Sequence, residues 1–186
     1  MIRFGSLALE AWHIALITVG LTATVWVIWG FTVRVQGTWA RVDEGLKVGQ
    51  TEHICLVQFG PFVRGRRLVP GGFQELTGLL RGRTMWITRR DHGEELIVNQ
   101  GFPRELVGEI DGSVTAKMKL TLSADGRAIF GSFTPQKIEF THRPPAITRR
   151  VFLEPSFRRY RLVSREIQDP DLAPSKPKKR PLRRTV

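Results

Sequence analysis

Between Ala11 and Val33 the chain reads AWHIALITVGLTATVWVIWGFTV, without one Asp, Glu, Lys or Arg. A helix on the surface of a water-soluble domain pairs a dry stripe with a charged one, and no charged stripe exists here. The 20 residues from Ile14 to Val33, at about 1.5 Å of rise each, extend about 30 Å, the hydrocarbon thickness of a bilayer. Trp12 stands at one end and Trp26 and Trp29 toward the other, where indole rings favour the headgroup layer. The sequence therefore predicts a transmembrane helix over 11–33, anchored by Trp12, Trp26 and Trp29, after a short flank over 1–10. A cleaved signal peptide fits less well. Its apolar stretch is shorter and ends in small residues, and only Thr38-Trp39-Ala40 offers a cut.

Arg3 and Glu10 precede this stretch, and Arg34, Arg41 and Lys47 follow it. The Lys/Arg balance leans slightly toward a cytoplasmic C-terminal domain and leaves the side open. The expected location is a single pass through a membrane, most simply a bacterial inner membrane. Thr18, Gly20, Thr22 and Thr24 would let a second helix approach, although small residues are common in spans. His13 lies one turn from Glu10, which reads more simply as a solvated edge pair than as a proton site.

Charge sets the second bound. The 186 residues carry 29 Lys and Arg against 17 Asp and Glu, a net charge of +12, which favours acidic partners such as nucleic acid, anionic lipid or an acidic protein. The last stretch, 164–186, combines four prolines with seven basic residues. It has too little apolar surface to offset its ordering entropy, so a disordered basic tail is expected there. One cysteine, Cys55, excludes an internal disulfide framework.

The remaining organisation reads as a juxtamembrane linker over 34–50 and a β-rich domain over 51–163. In Val114 to Leu122, apolar Val114, Ala116, Met118, Leu120 and Leu122 alternate with Thr115, Lys117, Lys119 and Thr121, the period of a strand with one dry face. Asp111-Gly112 before it and Asp125-Gly126 after it are hairpin dipeptides, and Asp91-His92-Gly93 gives a third turn signal. Strands are expected at His53–Phe59, Glu75–Leu80, Thr84–Arg89, Glu94–Val98, Glu105–Ile110, Arg127–Phe133 and Gln136–Thr141. The fold class is mainly β, an antiparallel meander closing as a small barrel or sandwich. A faint repeat relates 72–82 to 101–112 through a shared G-F-…-E-L-x-G frame; chance spacing among 18 glycines explains it equally well.

Signatures of chemistry are missing from the sequence: it contains no phosphate loop, dinucleotide fingerprint, nucleophile elbow or H-E-x-x-H. His53 and Cys55 would share a strand face, but two ligands do not make a zinc site. Asp91, Asp111 and Asp125 fall at turns, where backbone hydrogen bonding explains them. No catalytic residue, cofactor or metal is expected. The most distinctive polar feature is arginine, 22 of the 29 basic residues. In Ile147–Arg165, Arg149, Arg150, Arg158, Arg159 and Arg161 interleave with Phe152, Phe157 and Tyr160, with only Glu154 opposing them. Guanidinium forks bind phosphate and stack on aromatic planes, so these residues, with Lys178, Lys179 and Arg180 of the tail, are the candidate anion-binding set. A solvated arginine face on ordinary strands is the simpler alternative. The leading expectation is a non-catalytic, membrane-anchored β-domain acting as an interaction or scaffold subunit, with a protein partner or a second copy. The alternatives are a tethered module for anionic polymer or lipid headgroups (nucleic acid only from the cytoplasmic side) and, last, a barrel carrying a small ligand or an enzyme site.

Overall fold

The computed structural model describes residues 11–42 and 52–167, except for the side chains of Ala11, residues 26–27 and residues 29–32. Its elements are α1 (Ala11–Thr32), β1 (Gly37–Arg41), β2 (His53–Phe59), β3 (Phe62–Val69), β4 (Gly72–Arg81), β5 (Thr84–His92), α2 (Glu94–Asn99), a single 3-10 turn (Arg104–Leu106), α3 (Val107–Ile110), β6 (Val114–Leu122), β7 (Ala128–His142), β8 (Pro145–Phe152) and β9 (Ser156–Ser164). Every strand pairing is antiparallel, and successive strands from β1 to β7 are neighbours. The first half of β7 pairs with β9, and β9 pairs with β1. Eight strands thus close into a barrel, which settles the choice left open between barrel and sandwich.

Closure follows from alternation. Trp39, Ile54, Leu56, Val63, Leu76, Leu80, Met85, Ile87, Ala116, Met118, Leu120, Leu122, Ile129, Phe133 and Tyr160 point inward and form one buried cluster. Fully burying such a side chain is worth about 1.5–3 kcal/mol, enough to fix the register of each strand. The alternation predicted for 114–122 is the one observed, with Lys117 and Lys119 outside. The Asp125-Gly126 turn also forms: Asp125 accepts the Arg127 N–H at 3.0 Å, and Gly126 takes φ 69°.

The long strand β7 runs past the barrel. Residues 136–142 pair with β8 instead of β9, so β7 and β8 project as a hairpin arm. Ile138, Phe140 and Ile147 of the arm close over Ile97, Leu106, Ile110, Phe102 and Val107, a second small core.

Several expectations are corrected here. Glu94–Val98 and Glu105–Ile110 are helical: Leu96 and Ile97 are buried side by side and Leu106 and Ile110 four apart, where a half-buried strand would bury every second residue. Asp91-His92-Gly93 makes no hairpin; Gly93, at φ 118°, turns β5 into α2. Asp111-Gly112 likewise links no two strands, and its Asp111 instead accepts the Gly93 N–H at 2.9 Å. The two strands expected at 127–133 and 136–141 are one. The repeat has no structural counterpart, since its first copy is β4 and its second is the 3-10 turn with α3. Within the expected linker 34–50, β1 is a barrel strand with Trp39 wholly buried. The tail from 168 onward lies outside the described residues.

The expected helix is present, and its large apolar side chains Trp12, Ile14, Leu16, Ile17, Val19, Leu21, Val25 and Ile28 are 54–66% exposed on all sides. Thr18, Thr22 and Thr24 return their hydroxyls to the carbonyls of Ile14, Thr18 and Gly20 at 2.8 Å each. Among the described residues no helix is long and apolar enough to cross a membrane.

Candidate interaction surfaces

α1 enters the barrel at one end, here the proximal end, through Val33 to Gln36. The opposite, distal mouth carries charge in place of hydrocarbon. Glu52, just before β2, receives Arg41 at 3.0 Å, Arg67 at 3.5 Å and Arg158 at 3.9 Å, and the Tyr160 hydroxyl donates to it at 3.3 Å. Asp91 is buried beside it and takes Arg89 Nε at 3.0 Å, Thr115 Oγ1 at 2.8 Å, Gln100 Nε2 at 3.1 Å and Gln74 Nε2 at 3.3 Å. Desolvation by burial lowers the Arg89 pKa, opposed by Asp91. Burial first, and the Glu52 charge second, push the Tyr160 phenol far above its usual range. Between these groups lies a cavity of about 10 Å³, lined by Glu52, Arg67, Arg89, Met118 and Tyr160 among others. That is room for about one water. The cluster plugs the mouth through mutual pairing.

The structure distributes the sequence-predicted anion-binding residues over separate surfaces. Arg149 and Arg150 are exposed on β8, where Arg149 stands opposite Glu139 and Arg150 donates to the Glu109 carbonyl at 3.0 Å. Arg158 points inward, its guanidinium 4.5 Å from the Phe133 ring centre, while Arg159 and Arg161 point outward on β9. They were expected to act together because Ile147–Arg165 reads as one arginine-aromatic segment. Leu153–Pro155 divides it between arm and barrel, and alternation then sends Arg158 to the opposite face from its neighbours. Lys178, Lys179 and Arg180 lie outside the described residues. Trp12 stacks on His13 at 3.5 Å between ring centres; Trp26 and Trp29 lie on α1, with their side chains outside the description. His53 faces outward, and Cys55 meets Thr38 Oγ1 at 3.6 Å. Among the described residues no group of three His, Cys, Asp or Glu is placed to hold a metal ion.

The surface that sequence reasoning missed is the outer wall of β2 to β6. Register places Phe59 opposite Phe62, Phe62 opposite Leu79, Leu79 opposite Trp86 and Trp86 opposite Lys119. The four apolar members are 42–77% exposed, a continuous row near the proximal end. Above the row the wall is basic, with Arg64, Arg66, Arg90 and Lys117 at outward positions, while Lys119 stands at the end of the row and Arg81 below it beside the β4–β5 turn. Glu75 is the one acid at an outward position of these strands, held by Arg64 at 3.3 Å and beside His92 at 3.7 Å. A notch of about 430 Å³ separates Thr22 on α1 from Leu79, Arg81 and Trp86. The signal was present in part, since Lys117 and Lys119 were read as a wet face. The apolar row is invisible along the chain because its members come from four strands.

Fold and surfaces together define an eight-stranded antiparallel barrel with a projecting hairpin and an exposed apolar helix at its N-terminal side. The chain matches no protein-family model, no curated protein and no solved structure.

Proposed function

We propose that the chain is a non-catalytic subunit in which α1 lodges in a bilayer as a single span and holds the barrel against that surface for interaction with a protein partner or a second copy. The observation that supports this most is the exposure of large apolar side chains all round α1, in a 22-residue element free of ionisable groups other than His13. In water such a surface is unfavourable by about 25 cal/mol per Å², and lipid removes that cost. The joint suits an anchor. Gln58 Oε1 accepts the Val35 N–H at 2.9 Å, Gln58 Nε2 donates to the Val33 carbonyl at 2.7 Å, and Arg165 bonds the carbonyls of Arg34 and Gln36 at 3.0 and 3.2 Å. The barrel therefore follows the helix instead of swinging on a loose linker. Full-length protein in native membranes should resist extraction at alkaline pH and require detergent. Release into the alkaline supernatant overturns the anchor, and a lone monomer in detergent with nothing co-purifying overturns the subunit role.

A second reading rests on the basic outer wall: binding of an anionic polymer or headgroup surface. Its mark is affinity that falls steeply with salt.

A further inference from the structure

The distal mouth holds more hydrogen-bond donors than its acceptors can use. Both oxygens of Glu52 are engaged, Oε2 by Arg41 and Arg158 and Oε1 by Arg67 and the Tyr160 hydroxyl. Both oxygens of Asp91 are engaged as well, Oδ1 by Thr115 and Arg89 and Oδ2 by Gln74 and Gln100. Each guanidinium, by contrast, carries five N–H donors and accepts nothing. Arg67 bonds Gln74 Oε1 at 3.2 Å and reaches Glu52 through one and the same nitrogen, Nη1. Arg158 lies 3.9 Å from Glu52, too far for a hydrogen bond, and its buried Nε has no partner among the described residues.

Charge is out of balance in the same direction. Glu52 and Asp91 are the two carboxylates of the mouth among the described residues, and Arg41 stands closest to Glu52, at 3.0 Å. Even with Arg41 left out of the count, three guanidinium groups face those two acids. Arg89 and Arg158 share one ring, lying 5.4 and 4.5 Å from the Phe133 centre. Tyr160 keeps its proton and supplies no negative charge. A desolvated cation without a full counter-charge is costly, and a small anion removes that cost.

Size narrows the anion. The cavity of about 10 Å³ is walled by Glu52, Arg67, Arg89, Phe133 and Tyr160 among others, and it takes one particle about as large as a water. Phosphate and sulfate, with four oxygens each, are too big. A water would add two donors to a place already rich in them, whereas a halide only accepts.

We infer that the distal mouth is a binding site for one halide ion of chloride size, held between Arg67 and Arg89, with Arg158 adding its charge across the Phe133 ring. The ion completes the plug, so the stability of the barrel depends on chloride. The site stands whether or not α1 lodges in lipid.

The test uses the full chain in detergent, unfolded by urea at neutral pH and fixed ionic strength, with gluconate replaced stepwise by chloride. Gluconate is too large for the cavity. The urea midpoint should rise with chloride, and the folded-to-unfolded ratio should grow about tenfold once chloride reaches about ten times its Kd. Arg67→Gln should flatten this response, while Arg149→Gln on the arm should leave it intact. Crystals of the unaltered chain grown in bromide should show an anomalous peak between Arg67 and Arg89, a readout that stands if Arg67→Gln does not fold. Equal midpoints in chloride and gluconate mean that water fills the cavity, and they overturn the site. A response that survives Arg67→Gln, or bromide peaks confined to the outer surface, places the ion elsewhere and overturns it equally.

Discussion

Tyr160 is the only tyrosine in the chain, so its ionisation can be followed alone by ultraviolet absorbance. In the folded barrel its phenol is desolvated and lies beside Glu52, and both effects oppose loss of the proton. The native state therefore holds this proton more tightly than the unfolded chain, whose phenol titrates near 10.0. The stability Tyr160 contributes is complete below that pH and is lost as pH rises through it toward the native value. Folded protein should show no tyrosinate signal at the pH where urea-unfolded protein is half ionised; equal titration curves would place the ring in solvent. Gly131 is a second single-residue test. It sits in β7 at φ 156°, and a Cβ there would meet the Lys119 carbonyl oxygen across the ladder. Gly131→Ala should cost at least about 2 kcal/mol, seen as a lower urea midpoint at unchanged slope. At this scale the sequence was least legible. Arg67, Arg89 and Arg158 point into the barrel, where a period-two reading expects apolar side chains, and nothing local announces that Glu52 and Asp91 wait there to pair with them.

Among the elements, β6 was readable because every second residue is apolar and both ends carry turn signals. β3 was not, since Gly65 and Arg67 occupy inward positions and erase the alternation. β1 hid in a stretch too short to show a pattern, and α2 and α3 span six and four residues, too few for periodicity to separate helix from strand. The joint between α1 and β1 belongs to the same scale. Gln58→Leu would strip the Val35 N–H and the carbonyls of Val33 and Gly60 of their partners. Unpaired buried groups cost about 1–3 kcal/mol each, less where water reaches them. The variant should keep a folded barrel yet be cut by trypsin after Arg34 several-fold faster than the parent; an unchanged rate would mean the joint is held elsewhere.

For the whole molecule, the mainly β class and the exposed apolar helix were legible, and the closing of the sheet was not, because β9 returns to β1 across more than a hundred residues. The basic wall is likewise a property of the closed barrel. Detergent-solubilised protein should bind a heparin matrix and elute at lower salt after Arg64→Glu with Lys117→Glu, whereas Arg149→Glu with Arg150→Glu on the arm should change elution little. The reverse order would move the anion-binding surface to the arm.

The strand shared by barrel and arm has a mechanical meaning. β7 runs 15 residues, bonded to β6 and β9 along its first half and to β8 along its second, with one register irregularity between Glu139 and Phe140. Tension applied at the arm's tip along this strand loads many rungs simultaneously in shear, the direction in which a ladder yields last, instead of peeling them singly. A ligand that grips the tip pulls on a stiff beam rooted in the barrel wall, and displacement at one end is delivered to the other with little slack.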